Sequence, residues 1–153
     1  MPIITFSRFK LKIPKQFQKP LTVNEMKMLM EHFNIEKIAS MQPDRNAPPT
    51  TKYTIYQVMD QDKVDVGHYV LLCQLPHLKT SIYIDSFGVV PPSMIQGNML
   101  KNKMFVSNGM QNINANLCGI YCIYEILQLE QFEFKNTDEI VAELNTLWKN
   151  IKI

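Results

Sequence analysis

The stretch "HYVLLCQLPHLKTSIYID" covers residues 68–85 and decides the fold. It contains two runs of β-branched, aromatic and other apolar residues, and each run is nearly continuous in apolar character. Continuous apolar runs of this length are typical of strands that are buried on both faces of a sheet. The intervening "PHLK" indicates a tight connection between them. We therefore predict a central hairpin, with one strand over 68–75 and the next running from Thr80 towards Gly88.

Other segments predict further strands around this hairpin. The runs "YTIYQVM" (53–59) and "KMFVSN" (103–108) have the composition of strands. The segment "MQPDRNAPPTT" (41–51) is rich in Pro, Asp and Asn, which favours a loop. The segment "GVVPPSMIQGN" also indicates a loop, which could open a short helix near Ser93.

Three longer helices are predicted as well. The letters "TVNE" form a capping box headed by Thr22, and the apolar spacing that follows predicts a helix over 23–33. A second helix begins at Cys118, and a third starts within "NTDEIVAELNTLWKNI", with Asn136 or Thr137 as its cap and Asp138 and Glu139 in its first turn. Helices and strands in this order predict an α+β domain, in which helices pack on an antiparallel or mixed sheet.

The composition is that of one ordinary globular domain. The chain has 153 residues, of which 46% are hydrophobic and 20% charged, and this suits a single domain over 1–153. No run of about 18 apolar residues predicts a transmembrane helix, and no signal-peptide pattern opens the chain. Three cysteines are an odd number, which favours free thiols in a reducing compartment over a disulfide framework.

The first twenty residues form a basic segment that we predict to be an extended arm or an edge strand. Five cations and no acid occur in it: Arg8, Lys10, Lys12, Lys15 and Lys19. The net charge of the whole chain is only +2, so the charge alone does not argue for nucleic acid. The segment is either a solvated arm or a docking arm for an acidic partner or nucleic acid.

Cys118 lies where the polar loop "QNINAN" gives way to an apolar helix. Thiolates rather than thiols attack carbonyls, and the unpaired N–H groups of a helix N-terminus stabilise an anion. Asn116 is a plausible N-cap, and a helix that is apolar on nearly all sides is buried. Cys118 is therefore a candidate nucleophile, although free cysteines are also common as small core residues. Cys122, one turn deeper in the same helix, is interpreted as a core residue.

A nucleophilic cysteine needs a base, usually a histidine that a third group orients. Of the three histidines, His68 opens a buried strand, whereas His32 and His77 lie at positions where we expect exposure. Asp85 closes the next strand, so the hairpin should bring it opposite His68 or nearly so, within reach of a cross-strand contact. Asp85 could instead simply begin the turn that follows it.

An oxyanion formed at Cys118 needs hydrogen-bond donors. The backbone N–H of Cys118 is one candidate, and Gln111 in the preceding loop is another. On composition alone Asn112, Asn114 and Asn116 compete for the same role, and the whole loop could also be a set of turn formers.

With these residues placed, "GHYVLL", "YIDSFGVVPP" and "MQNINANLCGIYC" resemble the motifs of the adenovirus-type (adenain-like) cysteine proteases. The similarity is greatest to the maturation proteases of virophages and of Polinton/Maverick elements, and it covers roughly residues 21–130. In that family the chain order is His, acid, Gln and Cys, which here corresponds to His68, Asp85, Gln111 and Cys118. SUMO-type proteases share "CGIY" but usually have Gln six residues before Cys, where this chain has Asn112.

Two positions depart from the family pattern. Tyr69 follows the histidine where the family usually has Trp, so an aromatic platform is still expected. Asp85 stands where adenoviral enzymes have Glu, and either carboxylate can orient an imidazole.

The resemblance implies a papain-like cysteine protease variant of the adenain/SUMO-protease type. Cys118 would be the nucleophile, His68 the general base and acid, Asp85 the residue that orients His68, and Gln111 the oxyanion donor. The implied substrates are capsid or other structural precursors, cleaved in the virion or the infected cell during particle maturation. The resemblance implies no cofactor, metal or membrane. It does imply stimulation by DNA or by a peptide, and the basic arm is the candidate contact.

Two other functions remain open at this stage. A protease that removes ubiquitin-like modifiers would use the same chemistry on a different substrate. A zinc-binding module is a more distant alternative, since two pairs of potential ligands share a four-residue spacing: Cys73 with His77, and Cys118 with Cys122.

Overall fold

The structure is a computed structural model. It describes residues 3–5, 10–12, 15–17, 19–42, 47–58, 68–85, 93–106, 118–131, 133–136, 138–140 and 142–143. Within these ranges no helix combines the length and the apolar character needed to cross a membrane.

The described residues form seven strands, three α-helices and two short 3-10 helices. The strands are β1 (Ile3–Thr5), β2 (Lys10–Lys12), β3 (Ala39–Gln42), β4 (Tyr53–Val58), β5 (His68–Leu75), β6 (Thr80–Ile84) and β7 (Asn102–Val106). The α-helices are α1 (Val23–His32), α2 (Ser93–Gln96) and α3 (Cys118–Leu129), and the 3-10 helices are Lys15–Phe17 and Pro76–Leu78. Residues 138–140 and 142–143 are also helical.

Five strands form one mixed sheet in the order β3-β4-β5-β6-β7. The two outer pairs are parallel, and the pairs that β5 makes with β4 and β6 are antiparallel. The predicted hairpin is confirmed: its strands pair from Leu71↔Ile84 to Leu75↔Thr80, and the connection is the 3-10 turn Pro76–Leu78. Lys79 ends that turn with φ 50°, in the left-handed region.

Strand β3 was not predicted, because its first residues lie ahead of the predicted loop 41–51 and its last two lie inside it. The sequence of β3 is "ASMQ", and only Ala39 is fully buried. An edge strand this short carries little apolar pattern, so its pairing with β4 is set by tertiary structure. The result is an α+β fold with a five-stranded mixed sheet and few helices.

The central strands are buried on both faces, as predicted. Alternate residues of β5 enter two different clusters, with Tyr69 and Leu71 on the α3 side and Val70 and Leu72 on the other. All five residues of β6 are buried. The second cluster is closed in part by Ile95 of α2. Because both faces are covered, the ends of the strands are the places where a site can open.

Helix α1 follows its sequence signals closely. The Thr22 side chain accepts from the Glu25 N–H, and the Glu25 carboxylate accepts from the Thr22 N–H, so the capping box is confirmed. The helix buries Met26, Leu29 and Met30 and ends at His32, one residue before the predicted end. The cap of the last helix is Asn136, whose side chain accepts from the Glu139 N–H at 3.0 Å.

The N-terminal segment contains a small hairpin and then joins the core. This segment was predicted to be an extended arm or an edge strand, and among its described residues β1 and β2 pair with each other in a separate two-stranded sheet. Phe17 and Leu21 are buried in the same cluster as α1 and α3. Between them, Lys19 is exposed and forms an ion pair with Glu25 at 2.9 Å. The basic segment therefore ends in residues that belong to the core.

Candidate functional site

His68 and Asp85 meet at one end of the β5–β6 hairpin. The His68 Nε2 atom lies 2.6 Å from Asp85 Oδ1. His68 is the first residue of β5 and Asp85 directly follows the last residue of β6, so both lie at the same end of the hairpin, just outside its paired residues. The Asp85 side chain is 4% exposed and that of His68 is 21% exposed. A buried carboxylate thus holds one nitrogen of a ring that still reaches the surface.

Cys118 begins helix α3, as predicted, and lies against this pair. Its Sγ accepts a hydrogen bond from the backbone N–H of Tyr69, with 3.4 Å between nitrogen and sulfur. Cys118 is also one of the groups that raise the pKa of His68, so the thiol and the imidazole lie close enough to interact. Asp85 contacts Nε2 of the same ring. The fold therefore brings Cys118, His68 and Asp85 together, although they are distant in sequence.

The pKa of His68 is the result of opposing effects. Burial alone would lower it, because a low-dielectric environment disfavours the charged ring. The hydrogen bonds with Asp85 and Cys118, together with the negative charges of these two groups, outweigh burial and raise the pKa to about 9. At neutral pH the imidazole is therefore protonated and positively charged beside the sulfur.

The predicted oxyanion donor Gln111 lies outside the described residues, and so do its competitors Asn112, Asn114 and Asn116. The backbone N–H of Cys118, the other predicted donor, belongs to the first residue of α3. The first N–H groups of a helix have no intrahelical acceptor, so this group suits the role.

The other two cysteines are core residues. Cys73 is 1% exposed and Cys122 is 2% exposed, and both are free thiols. Burial raises the pKa of Cys73 to about 12 and that of Cys122 well above its usual range. The described residues include Cys73, His77, Cys118 and Cys122, the four ligands of the zinc alternative. Among them and the rest of the described chain, no group of three His, Cys, Asp or Glu side chains could hold a metal ion.

Sequence reasoning missed Glu125, the one charged residue of α3. Its side chain is 1% exposed, and neither carboxyl oxygen has a hydrogen-bond partner. Burial, helped by the nearby charges of Asp85 and Cys118, raises its pKa well above the ordinary value. Burial therefore favours the uncharged form of Glu125 in the folded protein. The signal was visible as a single acid within "CGIYCIYEILQL".

The second missed feature is the role of the Tyr69 main chain. The N–H of Tyr69 donates to Cys118 Sγ just beyond Leu71↔Ile84, the last β5–β6 pair among the described residues. A backbone donor leaves no mark in the sequence, so only the strand register could have suggested it.

A thiol, an imidazole and a carboxylate therefore lie close together, and these are the types of group that nucleophilic catalysis by cysteine uses. Comparisons with known protein families, curated proteins and solved structures found no match for this chain. Its function must therefore be inferred from the residues of the site and from their order along the sequence.

Proposed function

We propose that this chain is a cysteine peptidase whose catalytic residues are Cys118, His68 and Asp85. The single observation that carries the proposal is the 2.6 Å contact between His68 and Asp85 directly beside the sulfur at the start of α3. In such an arrangement the thiol proton passes to the imidazole, and the thiolate is stabilised by the ring, the Tyr69 N–H and the helix N-terminus.

The reaction would proceed through an acyl-enzyme. The Cys118 thiolate attacks the scissile carbonyl carbon, and the carbonyl electron pair moves onto oxygen, where the Cys118 N–H and Gln111 would donate hydrogen bonds. The C–N bond then breaks, and the amine leaves with the proton held by His68. Water then attacks the thioester carbonyl and gives a proton to His68. The C–S bond breaks, which releases the acid and regenerates the Cys118 thiolate. Asp85 fixes the orientation of the ring throughout.

The proposed substrates are structural precursors of a virus particle. This part of the proposal rests on the resemblance to adenovirus-type maturation proteases, and particularly on the seven-residue separation of Gln111 from Cys118. It would place the protein in the virion and the infected cell. A protease of ubiquitin-like modifiers would have the same catalytic residues, so the choice of substrate distinguishes the two functions.

The test is to incubate the purified protein with the capsid precursor of its own virus and, separately, with a ubiquitin-like fusion, and then to map the new chain termini. We expect cleavage of the capsid precursor by the wild type and none by Cys118→Ala. The matched control is Cys73→Ala, which removes a buried thiol from the same sheet and should retain cleavage. Retained cleavage by Cys118→Ala would contradict the proposal, and cleavage of the fusion alone would change the substrate class.

A further inference from the structure

Tyr69 connects the nucleophile to the N-terminal segment of the chain. Its backbone N–H donates to Cys118 Sγ at 3.4 Å, and its hydroxyl donates to the backbone carbonyl of Leu21 at 2.6 Å. Leu21 directly precedes the N-cap of α1. Tyr69 is 1% exposed, so both bonds lie in the core, where they are shielded from competing water.

The same residues meet a second time at Gly119, next to the nucleophile. A side-chain carbon added at Gly119 would lie 2.6 Å from Met26 Sδ and 3.4 Å from both Leu21 Cδ1 and Tyr69 Cδ2. The first turn of α3 can therefore lie directly on these side chains only because residue 119 has none. The position of Cys118 is thus set from two directions, by the hydrogen bond from Tyr69 and by the packing beneath Gly119.

We propose that Tyr69 is a positioning residue for Cys118, and that it makes the segment around Leu21 part of the active-site scaffold. The inference rests on the proposed function. Strand β5 fixes the direction of the Tyr69 N–H, and the bond to Leu21 fixes the far end of the same residue. If the hydrogen bond from the Tyr69 hydroxyl to the Leu21 carbonyl is lost, the Tyr69 ring and the start of β5 can shift. This shift weakens the contact between the Tyr69 N–H and Cys118 Sγ. Misplacements of about 1 Å near a reacting atom can cost about 100-fold in rate.

This role differs from ordinary core packing in a way that can be measured. Tyr53 is a matched tyrosine: it is 0% exposed, lies in the neighbouring strand β4 in the same core cluster, and donates its hydroxyl to Glu130 at 2.7 Å. Tyr53→Phe and Tyr69→Phe each remove one buried hydroxyl and its hydrogen bond, so both should lower stability. Only Tyr69 touches Cys118, so only Tyr69→Phe should change the chemistry of the thiol.

The experiment measures the rate of Cys118 alkylation by iodoacetamide as a function of pH, at a temperature where both variants are folded. We expect Tyr69→Phe to react about threefold to tenfold more slowly than the wild type. This range corresponds to the net free energy of one hydrogen bond. Tyr53→Phe should remain within about twofold of the wild type. Equal rates for the two variants would overturn the inference, because Tyr69 would then be a structural residue only.

The assay needs no peptide substrate, so it separates two kinds of failure. A wild-type Cys118 that reacts no faster than Cys73 overturns the proposed function and this inference with it. A reactive wild-type Cys118 with an unaffected Tyr69→Phe variant overturns only the inference.

If Tyr69→Phe does not fold, Cys118→Ala provides the test by nuclear magnetic resonance. Removing the sulfur should shift the amide signal of Tyr69 and, through the hydroxyl bond to the Leu21 carbonyl, that of Thr22. The amide of Lys52, at the opposite end of the sheet, should not move. An unshifted Thr22 signal would overturn the connection.

Discussion

The two ends of strand β5 carry similar sets of functional groups but arrange them differently. At the His68 end a thiol, a cationic ring and a buried carboxylate meet: Cys118, His68 and Asp85. Towards the Leu75 end the thiol of Cys73 lies within electrostatic range of Lys52 and Glu130. Composition alone therefore does not distinguish the two ends.

The difference lies in what the carboxylate holds. Glu130 takes the Lys52 ammonium at 3.0 Å and also accepts from the Tyr53 hydroxyl, while Cys73 stays in the core behind them. Both members of this ion pair are about 40% exposed, so the pair is screened by water and worth little. Asp85 instead holds Nε2 of the His68 ring, and the residue after His68 donates its N–H to Cys118 Sγ. An imidazole has two nitrogens, so one can bind a carboxylate while the other stays available for a second group. An ammonium has a single nitrogen, which the carboxylate already engages.

The largest expected effect comes from removing the carboxylate at each end. Asp85→Asn should lower peptide hydrolysis by about 100-fold to 10,000-fold, as in other triads that lose this group. It should also move the alkaline limb of the pH profile to lower pH, because Asp85 is what raises the pKa of His68 to about 9 against the opposing effect of burial. The measurement is the pH dependence of the hydrolysis rate.

The matched variant at the other end is Glu130→Gln, which breaks the ion pair with Lys52 but leaves the site untouched. Its hydrolysis rate should stay within about twofold of the wild type and its alkaline limb should not move. If Asp85→Asn behaves like Glu130→Gln, the two ends are equivalent and the comparison fails.

A smaller effect is expected from the acid buried in α3. Glu125 keeps its proton in the folded protein, whereas the unfolded chain loses it above about pH 4.5, the ordinary value. Because the folded state then binds one more proton, the stability due to this group is present at low pH and is lost as pH rises. The free energy of unfolding should fall by about 1.4 kcal/mol for each pH unit above the ordinary value, until the folded-state pKa is reached.

The measurement is the urea unfolding of the wild type and Glu125→Gln between pH 5 and 7 in a reducing buffer. The difference in the free energy of unfolding, Glu125→Gln minus wild type, should grow by about 1.4 kcal/mol for each pH unit. The contribution of His68 is common to both proteins and cancels in this difference. Glu130→Gln removes an exposed carboxylate next to the same helix and should show no such widening gap. Parallel curves for the wild type and Glu125→Gln would mean that Glu125 is not held uncharged.

Much of the fold followed from local patterns. The capping box around Thr22, the strands of the β5–β6 hairpin and the start of α3 at Cys118 depend on residues close in sequence, and all three are confirmed. Strand β3 was missed because three of its four residues are only partly buried and its pairing with β4 is a long-range contact.

The candidate site shows the same division between features set by local sequence and features set by tertiary contacts. His68 and Asp85 could be paired in advance because one hairpin joins them, and the structure has their side chains in contact. The meeting of Cys118 with His68 could not be derived from local pattern, because it needs the packing of α3 on the sheet. The uncharged state of Glu125 and the donor N–H of Tyr69 depend on tertiary contacts as well.

The central claim is that Cys118 and His68 act as a coupled pair, and selective alkylation tests it most directly. With a pKa of about 12, Cys73 is thiolate in only about one molecule in 100,000 at pH 7, so it should not react while the protein is folded. Mass spectrometry after brief iodoacetamide treatment should find label on Cys118 and none on Cys73 or Cys122. His68→Ala should slow the labelling of Cys118 at neutral pH. Equal labelling of all three cysteines, or an unchanged rate in His68→Ala, would contradict the account.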